Sequence, residues 1–348
     1  MTSYGISLFF YAFSCVQVTI LCESLFSGKG KILIIIQCLL LALGFVMLIK
    51  GSDFFVDGAA GIARRFGVPQ LVIGLTIVAM GTSAPEAAVS IASASKGSAG
   101  IAIGNIVGSN ILNIWIILGV TALMVVMAVA KSTIKYEMPF MIAITVLLLI
   151  LGLDGQIGRI DAIIFLIVFA AYLAYLFRLA KKGGNEEAET ESAKKYSVPI
   201  AIILTIIGMA LIIGGSQVTV NAATSIARSF GVSDRIIGLT IVALGTSLPE
   251  LFTSINAARK GNADIAIGNI VGSNVFNILF VLGISGIITD IPFAANFRID
   301  TLVAIAASAM LLVFSIKDRK IKKWAGCIFL ISYAAYFIYM LAATGGGA

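Results

Sequence analysis

The sequence predicts an all-α polytopic membrane protein with ten core transmembrane helices, arranged as two inverted five-helix repeats. Three observations predict this fold class. The 348 residues are 59% hydrophobic and only 12% charged, a composition that is not typical of soluble domains. Uncharged runs such as 97–130 and 265–289 are long enough to cross a bilayer, since a transmembrane helix needs about 20 residues. The third observation is an internal duplication of the chain.

The ten helices follow from the hydrophobic segments and the short polar loops between them. A longer polar stretch, 180–196, is the predicted linker between a first repeat at 31–179 and a second repeat at 197–348. The predicted helices span 32–62, 70–95, 100–129, 137–153, 160–179, 197–227, 235–258, 264–288, 299–316 and 322–343.

Residues 1–30 form an apolar extension ahead of the ten core helices. The stretch lacks the basic leading region and the cleavage site that are typical of a signal peptide. It is either an eleventh helix or an extension with no role in function, and we favour the added helix.

The duplication appears when the halves are aligned at an offset of 164 residues. Of the forty positions in 74–113, 28 are identical in 238–277, including the string IAIGNIVGSN. The matching segments form the second and third helices of each repeat. Because each repeat has an odd number of helices, the second repeat must begin on the opposite face of the membrane. Inverted repeats of this kind allow alternating access by exchange of conformations between the halves.

The basic residues predict the orientation of the chain. Most of the 24 Lys and Arg residues fall in loops on one side of the predicted helices, as cytoplasmic loops do. The linker 180–196 is therefore predicted to be cytoplasmic. This distribution also explains the net charge of +7, so we expect the lipid bilayer as a partner and do not expect nucleic acid.

Each repeat places one glutamate in an otherwise uncharged hydrophobic segment. Glu86 ends the string GTSAPE, and Glu250 ends the matching string GTSLPE. A lone carboxylate at bilayer depth is costly unless something compensates its charge. One such glutamate could be a structural residue that is hydrogen-bonded between helices. Two at matching positions, with the same polar neighbours, favour a single cation site built from both halves.

The polar residues around each glutamate share its helix face. Thr82, Glu86 and Ser90 follow the spacing i, i+4, i+8, and Ser83 lies three residues before the glutamate. The equivalent set in the second repeat is Thr246, Ser247, Glu250 and Ser254.

A proline precedes each glutamate directly. Pro85 and Pro249 lack a backbone donor and disturb the preceding helical turn. We expect this break to expose the carbonyl oxygens of Ala79 and Ala243 to a bound cation.

The following helix of each repeat carries the string GNIVGSN. Its polar face is formed by Asn105, Ser109, Asn113 and by Asn269, Ser273, Asn277. The G-x-x-x-G spacing within the string lets neighbouring backbones approach closely. Asn110 and Asn274, beside the serines, either link the helices or support the ligands, and the sequence leaves both interpretations open.

All of these candidate ligands are oxygen atoms, which predicts a hard-cation site. Ca²⁺ accepts about 6–8 oxygens in flexible geometry, whereas Mg²⁺ needs a strict octahedron. Two glutamates neutralise one divalent ion or hold two or more Na⁺. Asp53 and Asp57 have no acidic equivalents in the second repeat, so we expect them at the membrane interface and not among the ligands. No nucleophile–base pair or P-loop is present, so we expect neither an enzyme nor a bound cofactor.

GTSAPE and GTSLPE, each followed by GNIVGSN, resemble the α-repeats of the cation/Ca²⁺ antiporter superfamily, in particular those of prokaryotic sodium/calcium exchangers. The resemblance covers about residues 32–343. It implies a secondary active antiporter that exchanges Na⁺ for Ca²⁺ across a prokaryotic plasma (inner) membrane. The motif GTS resembles the sodium-coupled branch, since proton-coupled members typically carry GNA. A Ca²⁺/H⁺ antiporter that uses the same carboxylates is the alternative, and a passive cation channel is a more distant one.

The resemblance also implies a role for each candidate residue. The expected Ca²⁺ ligands are Glu86, Glu250, Thr82 and Thr246. The expected Na⁺ ligands are Ser83, Ser109, Ser247, Ser273 and the carbonyls of Ala79 and Ala243. Asn113 and Asn277 would lie at the middle level. Several relatives, including potassium-dependent ones, have aspartate at the position of Asn277, so the asparagine makes potassium co-transport a weaker expectation.

Overall fold

The computed structural model describes residues 28–182, 196–231 and 243–345. Most of the predicted N-terminal extension, most of the linker and the beginning of the predicted seventh core helix lie outside the described residues.

The described residues form twelve helices. The first six are α1 (Gly28–Phe66), α2 (Gln70–Thr82), α3 (Ala84–Ser95), α4 (Ala99–Met124), α5 (Thr133–Asp154) and α6 (Arg159–Lys182). The last six are α7 (Val198–Ser229), α8 (Ala243–Thr246), α9 (Leu248–Arg259), α10 (Ala263–Ile288), α11 (Ala295–Ile316) and α12 (Lys323–Gly345).

Within the described ranges, eight helices are long and apolar enough to cross a membrane, or nine if the bent pair α2–α3 is one span. The predicted second core helix, 70–95, is this bent pair, with an angle of 50° between its parts. The third and eighth core helices, α4 and α10, are the most deeply enclosed of the long helices: 78% and 83% of their apolar windows are buried. The helices that carry the GNIVGSN string therefore lie deep inside the larger of the two compact units of the chain.

Two short β-ladders accompany the helices and were not predicted from the sequence. Strand β1 (Met127–Ala128) pairs antiparallel with β4 (Lys320–Ile321), and β2 (Gln156–Ile157) pairs antiparallel with β3 (Ile291–Pro292). Each ladder joins one repeat to the other. The starts of β1 and β3, and those of β2 and β4, differ by the same 164 residues that relate the two halves of the sequence. The duplication is therefore preserved in the way that the repeats are joined.

The chain divides into two compact units. The larger one contains Leu48–Ile213 and Thr246–Ala348, which include nearly all of the candidate ligands. In the smaller unit, the hydroxyl of Ser216 on α7 donates a hydrogen bond to the carbonyl of Gly245, 2.6 Å away. This bond holds the last turn of α8 against α7.

Helix α2 packs backbone to backbone against α10 in the larger unit. A Cβ atom on Gly272 would lie 2.7 Å from the Cα and the carbonyl oxygen of Leu75, and one on Gly268 would lie 3.1 Å from the Cα of Gly74. The close approach predicted from the G-x-x-x-G spacing is therefore present in the second repeat. Its counterpart in the first repeat would involve residues 232–242, which lie outside the described ranges.

Two bulky side chains cover the start of the first glutamate motif, at Gly81. Phe55 of α1 and Met209 of α7 would lie 3.1 and 3.0 Å from a Cβ atom on Gly81. Only a glycine fits between them without displacing a neighbour. This packing places the break between α2 and α3 against α1 and α7.

Candidate cation site

Both glutamates lie in the first turn of a helix that follows a break. Ser83, between α2 and α3, has backbone angles φ −82° and ψ 7°, and Ser247, between α8 and α9, has φ −90° and ψ 4°. The prolines occupy the first turn of α3 and α9, where a missing backbone N–H costs nothing. Each carboxylate consequently lies near the positive end of a helix dipole, which stabilises its negative charge.

The two carboxyl groups are held by serines of the opposite repeat. The hydroxyl of Ser83 donates to Oε1 of Glu250 at 2.8 Å, and that of Ser247 donates to Oε1 of Glu86 at 3.3 Å. Both glutamates are 1% exposed. Thr246 also lies close to Glu86, and the equivalent Thr82 lies close to Glu250. The two acidic side chains therefore meet in the interior of the protein and do not point into lipid.

The asparagines at the second position of the GNIVGSN strings hold the helices on which the glutamates lie. Nδ2 of Asn105 donates to the hydroxyl of Ser90 at 3.0 Å and to the backbone carbonyl of Glu86 at 3.3 Å. Asn269 makes the same two bonds in the second repeat, at 3.0 and 3.4 Å. Its Oδ1 also accepts a hydrogen bond from the hydroxyl of Thr82 at 3.0 Å. The first two bonds of each asparagine connect the two motif helices within its own repeat, and the bond between Thr82 and Asn269 joins the two repeats.

Asn113 and Asn277 lie where α4 and α10 change their winding. Each begins a six-residue π-helical stretch, Asn113–Leu118 and Asn277–Leu282. Such wider turns are frequent at functional sites because they redirect side chains. Nδ2 of Asn113 donates to Asn274 at 2.9 Å, and Nδ2 of Asn277 donates to Asn110 at 3.1 Å.

Four buried oxygen atoms of these residues have no hydrogen-bond partner among the described residues. They are Oε2 of Glu86, Oε2 of Glu250, Oδ1 of Asn113 and Oδ1 of Asn277. Each repeat contributes one carboxylate oxygen and one amide oxygen, at equivalent positions. Burying an unpaired polar atom costs several kcal/mol, and an unpaired charge costs more. A cation bound between these oxygens would remove this cost.

The remaining predicted ligands have different surroundings. Ser109 and Ser273 are buried, and Ser273 donates a long hydrogen bond of 3.4 Å to the carbonyl of Ala79. That carbonyl also accepts the backbone N–H of Ser83 at 3.0 Å, so the break does not release it from the helix as we expected. Ala243 directly follows residues 232–242, which lie outside the described ranges, and its role as a ligand stays a prediction.

Comparison with known proteins matches most of this chain to a single family. The family model described as sodium/calcium exchanger protein matches residues 36–178 and 200–342, one match in each repeat. The chain belongs to this family. As a sodium/calcium exchanger family member it is a membrane antiporter and not an enzyme, and the resemblance inferred from the repeated motifs is confirmed.

Curated relatives of this exchanger family member cover nearly its whole length. It is 41% identical over 312 residues to the putative antiporter CaxA of Alkalimonas amylolytica, covering 87% of this chain and 98% of the relative. It is 34% identical to the sodium/calcium exchanger MaX1 of Methanosarcina acetivorans, covering 88% and 99%.

A solved structure of the sodium-calcium exchanger NCX_Mj, soaked with Na⁺ and without Ca²⁺, matches with a TM-score of 0.76 and 34% identity. The match covers 89% of this chain and 99% of that chain. The predicted class, an all-helical polytopic membrane protein, is confirmed by this likeness.

Asp53 and Asp57 lie away from the paired glutamates. Nζ of Lys260, at the end of α9, is 2.6 Å from Oδ1 of Asp57 and 3.2 Å from Oδ1 of Asp53. Asn256, one turn earlier on α9, donates to the same oxygen of Asp53 at 2.8 Å. The aspartates therefore tie α1 to α9. In the sequence, Asp53 and Asp57 are spaced i, i+4, and so are Asn256 and Lys260. This spacing places each pair on one helix face but does not predict that the two pairs contact each other.

One further carboxylate is buried in a membrane-spanning helix of this family member. Glu137 on α5 is 1% exposed and accepts a hydrogen bond of 2.6 Å from the hydroxyl of Tyr175 on α6. Sequence reasoning did not single it out, because the equivalent position in the second repeat is Thr301 and the repeat comparison therefore gave no signal.

Proposed function

We propose that this exchanger family member moves Na⁺ and Ca²⁺ in opposite directions across the membrane, with Glu86 and Glu250 at the central cation site. The four unpartnered buried oxygens carry the proposal. They belong to two carboxylates and two amides, one of each from either repeat. Within the part of the chain that the structure describes, no nitrogen or sulfur ligand accompanies them, and oxygen-only sites favour hard cations such as Ca²⁺ and Na⁺.

The charge of the site accounts for exchange. Its two carboxylates give it a charge of −2 when both are ionised, and the other proposed ligands are neutral. One Ca²⁺ or two Na⁺ balance this charge, so the two kinds of ion compete for the same oxygens. Any further Na⁺ per Ca²⁺ would make the exchange electrogenic.

The hydroxyls and carbonyls around the glutamates extend the proposed site. Thr82 and Thr246 complete the coordination of Ca²⁺ together with the glutamates. The flanking Na⁺ positions use Ser83, Ser109, Ser247, Ser273 and the carbonyls of Ala79 and Ala243. Asn113 and Asn277 supply neutral oxygens at the middle level. Because amides do not add charge there, we do not include K⁺ among the transported ions.

The symmetry of the contacts supports alternating access. Ser83 and Ser247 make crossed bonds to the glutamates, and the asparagines of both repeats make equivalent bonds. Two repeats of opposite orientation that share one site can exchange their conformations and expose that site to either side in turn. We propose Ca²⁺ extrusion, driven by the inward Na⁺ gradient, as the physiological direction.

Two of the relatives support the choice of ions. MaX1 is named a sodium/calcium exchanger, and NCX_Mj was soaked with Na⁺, Ca²⁺ and Sr²⁺. Na⁺ coupling is thus favoured over H⁺ coupling for the present chain.

Ion flux into proteoliposomes of the purified protein tests the proposal. Vesicles loaded with Na⁺ and diluted into Na⁺-free buffer with radioactive Ca²⁺ should accumulate Ca²⁺, and equal Na⁺ on both sides should abolish this uptake. Gradients of H⁺ and K⁺ are imposed separately in matched vesicles. Uptake driven by a pH gradient alone would instead establish a Ca²⁺/H⁺ antiporter, and Ca²⁺ flux with no counter-ion would establish a channel.

A further inference from the structure

Asn110 and Asn274 form a reciprocal link between the two repeats. Nδ2 of Asn110 donates to the backbone carbonyl of Asn274 at 3.2 Å, and Nδ2 of Asn274 donates to the backbone carbonyl of Asn110 at the same distance. Both side chains are buried, at 3% and 1% exposure. Each amide nitrogen is therefore engaged by a backbone carbonyl of the opposite repeat.

These bonds determine the orientation of the amides by elimination. A backbone carbonyl oxygen only accepts hydrogen bonds, so the atom of Asn110 that faces the carbonyl of Asn274 must be its nitrogen. Oδ1 of Asn110 then faces Asn277, 3.1 Å away, and the facing atom of Asn277 must in turn be a nitrogen. The oxygen of Asn277 is left on the other side of its amide.

Asn274 and Asn113 make the same series of hydrogen bonds as Asn110 and Asn277. Asn274 donates to the carbonyl of Asn110, and its Oδ1 accepts Nδ2 of Asn113 at 2.9 Å. Both chains of bonds end on an unpartnered buried oxygen, that of Asn277 and that of Asn113. We call the four side chains, Asn110, Asn113, Asn274 and Asn277, the amide ring.

We infer that Asn110 and Asn274 are positioning residues, each of which turns the oxygen of the opposite repeat's middle asparagine toward the transported cations. The inference rests on the proposed function, because it gives these oxygens a cation to face. Asn110 acts on Asn277, and Asn274 acts on Asn113. Neither positioning residue needs to touch an ion.

The physical reason lies in the two ends of an amide. The amide of asparagine has an acceptor oxygen on one side and a donor NH₂ group of similar size on the other. A rotation of the amide by 180° exchanges the positions of these two groups. A middle asparagine that is free to rotate would present NH₂ hydrogens to a cation in part of its population. The amide ring removes this orientation, since rotation of Asn277 would place two oxygens 3.1 Å apart. Residues that orient metal ligands in this way change metal affinity by about 10- to 100-fold when they are replaced.

Equilibrium binding of Ca²⁺ to the purified full-length protein, measured by isothermal titration calorimetry, tests the inference. Asn110→Ala should weaken Ca²⁺ binding by roughly 10- to 100-fold, and Asn274→Ala should do the same. If Asn110→Ala does not fold, Asn110→Ser is the second variant, because its side chain is too short to reach Asn277. Thr121→Val is the matched control, since this buried hydroxyl on α4 donates to the carbonyl of Ile117 in its own helix. The control should bind Ca²⁺ as the unchanged protein does.

A double-mutant cycle separates positioning from general stabilisation. Asn110→Ala combined with Asn277→Ala should bind Ca²⁺ about as weakly as Asn277→Ala alone, because the positioning residue then has nothing to position. In the variant that combines Asn110→Ala with Asn113→Ala, the fold-losses in Ca²⁺ affinity of the two single variants should instead multiply. The reason is that Asn274, and not Asn110, holds the side chain of Asn113.

Three results would overturn the inference. Wild-type affinity in Asn110→Ala would show that the ring does not orient a ligand. Multiplied losses in the pair with Asn277→Ala would show that the two side chains act separately. If the unchanged protein binds no Ca²⁺, the proposed function fails as well, and this outcome is distinguished from the other two by the first titration.

Discussion

Replacement of either central glutamate by glutamine should remove most of the protein's affinity for Ca²⁺. Glu86→Gln and Glu250→Gln keep the size of the side chain and one oxygen that can accept the crossed serine bond. Each removes one of the two charges. A Ca²⁺ ion in the altered site would be left with one uncompensated charge in the protein interior.

The burial of the two glutamates sets the expected loss of Ca²⁺ affinity. Both glutamates are 1% exposed, so water does little to screen the missing charge. Removing one partner from a buried charge pair costs about 3–5 kcal/mol, which corresponds to a loss of affinity of roughly 150- to 5,000-fold. The two glutamates make equivalent contacts, so the two variants should lose affinity to a similar extent. Binding of a single Na⁺ should suffer less, because one carboxylate still balances it.

Calorimetric titration with Ca²⁺ and with Na⁺ provides the assay, and Glu137→Gln is the matched control. Glu137 is as deeply buried as the central glutamates and also lies in a membrane-spanning helix, but it bonds to Tyr175. The control should bind Ca²⁺ normally. The reasoning is refuted if the control loses as much affinity as the two variants, or if one of the two variants binds Ca²⁺ like the unchanged protein.

Three further substitutions test the packing and the contacts of the site. Gly272→Ala should destabilise the protein by about 1–3 kcal/mol, seen as a lower melting temperature in detergent, because its Cβ would meet backbone atoms at 2.7 Å. Gly100→Ala, whose Cβ would meet nothing nearer than 3.9 Å, should melt no lower than the unchanged protein, and equal melting of both variants would contradict the packing argument. Ser83→Ala removes the 2.8 Å bond to Glu250 and should weaken Ca²⁺ binding by about 1.5–3 kcal/mol; unchanged affinity would show that this bond does not orient the carboxylate. Lys260→Met should lower the melting temperature slightly, by the equivalent of about 1 kcal/mol, because the side chains of this ion pair are at most about one-third exposed. Ca²⁺ affinity measured by titration should stay the same; a large loss of affinity would place the ion pair within the cation site.

The repeated strings made the central pair of glutamates predictable. Glu86 and Glu250 lie at equivalent positions of the two repeats, and two equivalent residues near a symmetry axis that relates such repeats must approach each other. The crossed serine bonds were not predictable in the same way. Whether Ser83 contacts Glu86 or Glu250 depends on how two bent helices pass each other, and the spacing along the chain is the same in either case.

The contacts between distant segments were also missed. Lys260 bonds to Asp53 and Asp57, more than 200 positions earlier. Glu137 bonds to Tyr175 on the neighbouring helix, without an acidic equivalent in the other repeat. The expected release of the Ala79 carbonyl was wrong, because the N–H of Ser83 still reaches it across the break.

The sequence by itself determined that this chain is a helical membrane protein, that it is duplicated, and that oxygen atoms supply its candidate ligands. The length of hydrophobic segments, the repetition of motifs and the chemistry of the side chains all follow directly from the order of residues along the chain. Only the tertiary structure decided which oxygens remain without a partner. Asn110 and Asn113 are both asparagines on one helix, and the amide oxygen of one is engaged while that of the other is not. That difference arises because hydrogen bonds across the two repeats depend on the positions of atoms to within a few tenths of an ångström, which residue spacing does not specify.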